Sequence, residues 1–164
     1  MTIGTVKTQG TELFFVNLGG ASPNEIVKVS CPTGVTGLGG STDQIESTCL
    51  DTVGNKTFAA GLSTPGQVSV PFNLIPRDVS HQDLMRLKDS GDVLSWLVAL
   101  SDGTTDPTAI AVDGTIVPPA NRTSFGFQAY VSDLNIDIAT NEIVRGTLTL
   151  QRSGNVTATW YVPA

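Results

Sequence analysis

The fold class is decided by residues 125–138, which read FGFQAYVSDLNIDI. Apolar side chains occupy odd positions from Phe125 to Val131, and such alternation marks a β-strand with one buried face. The apolar positions then become even in the second half, LNIDI. One strand can keep a single buried face through this change only if an extra residue, a β-bulge, lies near Ser132 or Asp133. A tight turn between two strands is the alternative.

The chain continues after this segment as a β-meander. Residues 139–142 are predicted to turn, and residues 144–151 to form a strand with one apolar face. Residues 153–155 are predicted to turn again, leading into a last strand at residues 156–161. This meander predicts a mainly β protein.

One segment before the meander has the pattern of a helix. Ser80 is a suitable N-cap, Leu84 and Leu87 share one face, and Gly91 can end the helix in a left-handed conformation. Residues 93–100 are then almost continuously apolar, as in a strand covered on both faces. We therefore expect the helix to pack on the sheet.

The N-terminal half contains shorter predicted strands. Residues 12–17 and 26–31 can pair as a hairpin around a turn at residues 19–24. Residues 67–74 form a further strand, in which Pro71 indicates an edge position or a bulge. The whole sequence predicts about eight strands and one helix.

Several stretches lack a clear apolar face. Residues 1–11 are predicted to form an N-terminal arm, and residues 33–42, 51–66 and 101–122 long loops, the last with a small extra hairpin as the alternative. Residues 43–50 read as a strand with polar side chains on both faces. Such a strand needs water or a protein partner on one side.

Size and charge limit the function. The chain has 164 residues with 15% charged residues and a formal net charge of −6, and we expect a single domain over residues 1–164. An acidic chain does not grip a phosphate backbone through counterion release, so specific nucleic-acid binding is not expected. The sequence shows neither a Sec-type signal nor a stretch that could span a membrane, which predicts folding in a cytoplasm.

The residue types needed for catalysis are not clustered. His81 is the only histidine, and we expect it to be solvated at a helix start. Asp133 and Asp137 stand about 13 Å apart along a strand, too far for a retaining glycosidase pair. We predict no enzyme activity, no cofactor and no metal site.

The cysteines, tryptophans and sequon asparagines receive structural interpretations. Cys31 and Cys49 are expected to be buried free thiols, with a disulfide as the alternative. Trp96 and Trp160 are expected in the core. The asparagines of the Asn-x-Thr sequences are expected in loops and turns: Asn55, Asn121 and Asn155.

Three stretches carry a resemblance to a known family: residues 37–51 (GLGGSTDQIESTCLD), 65–73 (PGQVSVPFN) and 141–149 (NEIVRGTLT). With the order of predicted elements over nearly the whole chain, they resemble the major tail proteins, or tail tube proteins, of long-tailed, non-contractile bacteriophages. The resemblance implies two packed antiparallel sheets, in a β-sandwich or barrel-like tail tube fold, flanked by one α-helix.

The resemblance also implies a structural virion protein that self-assembles in the host cytoplasm. Six copies would form a ring, and stacked rings would form the hollow tail tube that delivers viral DNA without binding it specifically. Strands of neighbouring subunits would join into an inner barrel, while the arm and the long loops would bridge rings. The implied partners are copies of the chain and other tail proteins, such as tape measure, terminator and distal tail proteins, with no membrane insertion.

The implied tube suggests roles for individual residues. Carboxylates repeated around the lumen would repel the phosphates of DNA. The candidate lumen-facing residues are Asp43, Glu46, Asp133 and Asp137. The candidate residues of an inter-ring arm are Thr2, Ile3, Thr5, Val6 and Lys7. Asp43 and Glu46 lie on opposite faces of a regular strand, so both can face the lumen only if that strand is irregular.

Two other functions remain as alternatives. The chain could be another tail or joint component, such as a terminator or the tube of a bacterial injection system. It could also be a β-sandwich module that binds a receptor or a sugar, which would carry exposed aromatic side chains and stay monomeric. Long tubes formed by the purified protein would favour the tail tube.

Overall fold

A computed structural model of the chain describes residues 4–17 and 24–162. These residues form eight strands and one helix in the order β1 (Glu12–Asn17), β2 (Glu25–Lys28), β3 (Gly40–Glu46), β4 (Phe58–Pro65), β5 (Gln67–Asn73), α1 (Val79–Ser90), β6 (Leu94–Ala99), β7 (Ser124–Asp137) and β8 (Arg145–Thr159). The fold class is confirmed: the protein is mainly β, with two antiparallel sheets and one helix. The turn predicted at residues 19–24 lies, apart from Asn24, outside the described residues.

Six strands form one antiparallel sheet in the order β2-β1-β6-β7-β8-β5, and β3 pairs with β4 in a separate two-stranded sheet. Pro71 lies on the edge strand β5, as predicted. Its carbonyl points outward and accepts from Thr33 N at 2.8 Å. Because the N and O of one residue point to the same side of a strand, the missing N–H of Pro71 removes no hydrogen bond to β8.

The main core lies between one face of the six-stranded sheet and α1. The helix contributes Leu84 and Leu87, and β1, β5, β6, β7 and β8 supply the facing side chains. The rings of Phe15 and Trp96 pack there with centroids 5.1 Å apart. The predicted packing of the helix on the sheet and the predicted burial of Trp96 are confirmed.

A second apolar cluster covers the opposite face of the sheet at β1 and β6. Phe14 and Leu97 pack there with Ile116, which comes from residues 101–122. This segment is a loop, with a single isolated bridge between Ile110 and Ile116. All six residues of β6 are buried, as predicted for a strand covered on both faces.

The bulge predicted near Ser132 is present. Val131 pairs with Leu150 and Asp133 with Thr149, so Ser132 is the extra residue. Core side chains therefore continue beyond the bulge, while Asp133 stays exposed. Residues 124–137 form one strand, and the alternative of a tight turn is wrong.

The turn predicted at residues 153–155 is wrong, because β8 runs through it as one strand of 15 residues. Residues 154–156 bulge opposite Phe127. Gly154 has a φ of 87°, and a left-handed glycine serves a bulge as well as it serves a turn.

Two expectations fail with that turn. Asn155 lies in a strand rather than in a turn. Trp160 follows the end of β8 and is 68% exposed, so its predicted core position is wrong. Its ring contacts Phe125 edge-on, with centroids 5.6 Å apart.

Two predicted loops contain strands. Residues 40–42 of the first loop belong to β3, which ends at Glu46 instead of residue 50, and half of residues 51–66 form β4. Every β3 residue is exposed, and β4 has no fully buried residue. Because neither face of these strands is buried, apolar and polar residues need not alternate along them. The hydrophobic pattern of the sequence therefore does not predict these two strands.

The N-cap of the helix lies two residues before the predicted one. Asp78, and not Ser80, is the N-cap; its carboxylate accepts from Ser80 N at 2.8 Å and from Ser30 Oγ at 2.5 Å. Gly91 ends the helix in the left-handed conformation with a φ of 69°, as predicted.

His81 is 4% exposed, so its predicted solvation is wrong. Its Nδ1 accepts from Ile75 N at 3.0 Å, and its Nε2 lies 2.7 Å from Ser30 O. A backbone N–H facing Nδ1 requires the tautomer in which Nε2 carries the proton and donates to Ser30 O. Both ring nitrogens are engaged by backbone groups, so the imidazole ties the start of α1 to the segment after β2 and is not part of a catalytic triad.

Both cysteines are free and exposed. The predicted burial is wrong, and the alternative disulfide is not formed. Cys31 lies in a turn with a φ of 52°, just before Pro32. Cys49 lies in the connection between β3 and β4. Neither position belongs to a packed strand, where a free thiol would be buried.

Candidate assembly and channel surfaces

The six-stranded sheet presents a continuous polar surface on the side away from α1, here called the polar sheet face. It is formed by β5, β8 and β7, whose other side chains fill the main core. Its members are Gln67, Ser69, Pro71, Asn73, Gln128, Tyr130, Asp133, Asn135, Asp137, Arg145, Thr147, Thr149 and Gln151. None of them is buried.

The bulge at Ser132 is what keeps this face polar along β7. Asp133, Asn135 and Asp137 lie opposite Thr149, Thr147 and Arg145 of β8. Without the extra residue, the second half of β7 would turn its carboxylates toward the core. Two of the predicted lumen residues, Asp133 and Asp137, are thus brought onto one face.

The charges on the polar sheet face are few. Asp133 lies 3.9 Å from Lys88 of α1, at the edge of β7 that β6 leaves unpaired. Asp137 accepts from Asn135 Nδ2 at 2.9 Å and stands opposite Arg145. Both contacts are exposed to solvent, so they contribute little to the stability of the fold. The two carboxylates remain available as negative charges on the surface.

A second surface is the projecting hairpin, which we define as residues 40–65, comprising β3, β4 and their connection. It bears exposed apolar side chains, among them Ile45, Phe58 and Leu62, the last 83% exposed. No residue of the hairpin belongs to either described core cluster. Exposed apolar side chains on a small two-stranded sheet are typical of a surface that meets another chain.

The two predicted lumen residues of the hairpin do not share a face. Thr42 pairs with Ser63 and Gln44 with Ala60, so the extra residue of this irregularity belongs to β4. Alternation along β3 is preserved, and Asp43 and Glu46 point to opposite sides. Glu46 also forms an exposed ion pair with Lys56, at 3.2 Å. Asp43 and Glu46 therefore lie on the hairpin, whereas Asp133 and Asp137 lie on the six-stranded sheet.

The third surface is the N-terminal arm. Thr5, Val6 and Lys7 are exposed, whereas Thr2 and Ile3 lie outside the described residues. Ser101 Oγ donates to Lys7 O. The exposed arm thus leaves the body beside the loop of residues 101–122.

A buried arginine anchors the base of this arm. Arg122 is 1% exposed and donates to Gly10 O at 2.8 Å, to Thr105 O at 3.2 Å and to Glu12 Oε2 at 2.8 Å. Partial burial raises the pKa of Glu12, but hydrogen bonds from Lys28 and Arg122 outweigh this effect and hold that pKa below its usual value. The arm base, β1 and the loop of residues 101–122 are therefore held as one unit.

Neither arginine that organises these surfaces was singled out from the sequence. Arg122 and Arg152 are both buried and bind mainly backbone carbonyls of residues distant in sequence. Hydrophobic periodicity carries no signal for such contacts. Among the described residues, no group of three or more His, Cys, Asp or Glu side chains could hold a metal ion. The described part of the chain also has no helix that could cross a membrane.

A wide polar sheet face, a hairpin with exposed apolar side chains and an anchored arm are the surfaces of a structural protein that acts by association. The family model described as phage tail tube, TTP, lambda-like, matches residues 4–162. The chain therefore belongs to the lambda-like family of phage tail tube proteins. It is a structural protein of the virion tail, a subunit of an oligomeric tube, and not an enzyme. The family favours this function over the alternative binding module.

Known proteins agree with this family. Structural protein 3 of Pseudomonas phage PAJU2 is 35% identical over 152 residues, covering 91% of this chain and 90% of that protein. The SPP1 tail tube matches with a TM-score of 0.66 at 10% identity, covering 97% of this chain and 81% of its own. The tail of an empty GTA particle, refined with C6 symmetry, matches with a TM-score of 0.63 at 12% identity. The match covers 95% of this chain and 100% of the GTA tail chain. At such identities the two solved structures show a shared fold.

Proposed function

We propose that six copies of the chain form a ring and that stacked rings form the tube through which viral DNA leaves the particle. The observation that carries this proposal is the polar sheet face. It is wide and sparsely charged, and every one of its side chains is at least partly exposed. A surface that is neither a core layer nor a charged exterior suits the wall of a water-filled channel. The sixfold symmetry of the GTA tail, which has the same fold, supports the ring size.

The lumen carries Asp133 and Asp137 in this arrangement. Their repetition around each ring gives a negative field that keeps phosphates away from the wall. Arg145 offsets part of this charge in each copy, so two carboxylates stand against one guanidinium on this part of the face. Of the two hairpin carboxylates, Asp43 or Glu46, only one can face the same side.

Assembly takes place in the host cytoplasm, through the projecting hairpin and the arm. The exposed apolar side chains of the hairpin meet a neighbouring copy, and the arm, with Thr2, Ile3, Thr5, Val6 and Lys7, bridges rings. The tape measure protein occupies the lumen during assembly, and terminator and distal tail proteins bind the two ends. The chain spans no membrane.

The first experiment is negative-stain electron microscopy of the purified protein across a concentration series. We expect long tubes built of sixfold rings. A protein that stays monomeric at every concentration would contradict the proposal.

The second experiment tests the channel face by charge reversal. Asp133→Lys combined with Asp137→Lys should leave tube assembly intact and slow DNA ejection from the particle. Asp89→Lys with Asp92→Lys is the matched control, because these two exposed acids flank the end of α1 and the charge change is equal. Ejection at the normal rate from the first variant would show that the polar sheet face does not line the channel.

A further inference from the structure

The projecting hairpin is joined to the body at two crossings of the chain. One strand crosses at Gly39 and Gly40, and the other at Pro65 and Gly66. The segment before β3 is bridged to β5 at Pro32 and at Thr36, and Leu38 packs against the main core just before the first crossing. Glycines at such crossings allow a wide range of backbone angles. Chain connectivity and strand pairing alone would therefore leave the direction of the hairpin poorly fixed.

One buried side chain reaches both crossings. Arg152 of β8 is 6% exposed, and its guanidinium donates to Gly66 O at 3.3 Å and to Gly39 O. The adjacent Gln151 donates to Pro65 O at 3.5 Å. A planar guanidinium can serve two acceptors at fixed relative directions, which a lysine ammonium cannot do as well.

The partners of Arg152 are carbonyls rather than carboxylates. No described carboxylate lies within ion-pair distance of it, in contrast to Arg122, which pairs with Glu12. A buried guanidinium without a counter-charge is costly unless its hydrogen bonds are satisfied. The burial of the Arg152 guanidinium is therefore favourable only while the carbonyl groups of both crossings stay in hydrogen-bonding position.

The glycines at the crossings make room for the guanidinium. A Cβ on Gly40 would lie 3.3 Å from Arg152 Nη2, and a Cβ on Gly66 would lie 3.6 Å from the same atom. The small residues and the arginine thus form one joint between the hairpin and the six-stranded sheet.

We propose that Arg152 is a positioning residue that fixes the direction of the projecting hairpin, so that it meets a neighbouring copy of the chain at the correct angle. The geometric part stands on the contacts at the joint. The consequence for assembly rests on the proposed function.

The two native cysteines allow a direct measurement. Cys31 lies on the body and Cys49 in the connection at the far end of the hairpin, and both are free and exposed. Nitroxide labels on these two thiols report the hairpin-to-body distance by pulsed electron paramagnetic resonance on the full chain. We expect one narrow distance in the wild-type monomer.

The test compares Arg152→Gln with Arg145→Gln, an exposed arginine on the same strand. We expect the distance distribution of Arg152→Gln to broaden about twofold, since local motion increases where tethering contacts are lost. Tube formation by that variant should fall sharply, while Arg145→Gln should keep the narrow distance. Arg152→Lys should be intermediate.

Each outcome decides the proposal. A narrow distance and normal tubes in Arg152→Gln would overturn it. If Arg152→Gln does not fold, Arg152→Lys takes its place, and unfolding of both would assign the residue to general stability instead. If the wild type forms no tubes, the proposed function fails, yet the label distances still report whether Arg152 holds the hairpin.

Discussion

Asp78 shows how much one side chain contributes to the start of α1, where its carboxylate binds Ser80 of the helix and Ser30 of the segment after β2. Partial burial raises the pKa of its carboxyl, but hydrogen bonds from Ser30 and Ser80 outweigh that effect and hold the pKa below its usual value. A group with a lowered pKa in the folded state stabilises the fold above its unfolded pKa of about 3.9 and loses that contribution as the pH falls through the folded value.

Replacing Asp78 by alanine should lower the free energy of unfolding by about 1–2 kcal/mol at neutral pH, because the N-cap is lost. The difference from wild type should shrink as the pH falls below about 4, where the wild-type carboxylate also becomes protonated. Urea denaturation at a series of pH values measures this. Asp78→Asn, which keeps an acceptor without the charge, is the control, and a pH-independent difference for Asp78→Ala would refute the role of the carboxylate.

Gly37 supports a second prediction at this scale. Its φ is 90°, and a Cβ there would lie 1.9 Å from Gln67 O, whereas a Cβ on Gly39 would meet nothing within 4 Å. Gly37→Ala should therefore lower stability by at least about 2 kcal/mol, through left-handed strain and overlap. Gly39→Ala should change stability by less than about 1 kcal/mol. Thermal unfolding of the two variants tests this, and equal midpoints would count against the close approach.

The residue scale is also where the sequence was least informative. The burial of His81, Arg122 and Arg152 depends on carbonyl groups of residues that are remote along the chain. A glycine-rich stretch shows that the backbone needs freedom, but not that an arginine will occupy the space. Such contacts exist only after the strands have met.

At the scale of the element, β7 depends on one extra residue. Deletion of Ser132 should prevent folding or cost more than about 4 kcal/mol, because Asp133 and Asp137 would turn toward the core and Leu134 away from it. Ser132→Ala removes only the exposed hydrogen bond to Thr149 O, of 3.1 Å, and should cost less than about 1 kcal/mol. Circular dichroism and urea titration of both variants measure the effect. A deletion variant of normal stability would show that the register can slip.

The same element explains which strands could be predicted. The shift of the apolar residues from odd to even positions in β7 can be recognised in the sequence, because one face of the strand must stay buried across the bulge. Both faces of β4 are exposed to solvent, so its residues FAAGLSTP show no alternation of apolar and polar side chains that would predict a strand. The sequence Ser-Gly-Asn in β8 suits a bulge as well as a turn, and only the pairing with β7 distinguishes the two.

At the scale of the whole molecule, the burial pattern separates what holds the fold from what joins copies. The core is complete within one chain, between the six-stranded sheet and α1. The polar sheet face, the projecting hairpin and the arm add little to that core. Changes on these three surfaces should therefore alter assembly more than they alter the stability of the monomer, which distinguishes them from core changes.

Removal of residues 1–7 tests this separation. The described part of the arm is exposed and contributes no residue to the core clusters, so we expect thermal stability to change little. If the arm bridges rings, long tubes should be lost while isolated rings persist, as seen by negative-stain electron microscopy and by sedimentation. A chain in which a Gly/Ser segment of equal length replaces the arm separates arm length from arm side chains. Normal tubes from the truncated chain would place the ring-to-ring contacts in the hairpin instead, and the variants at Arg152 would then report on ring stacking directly.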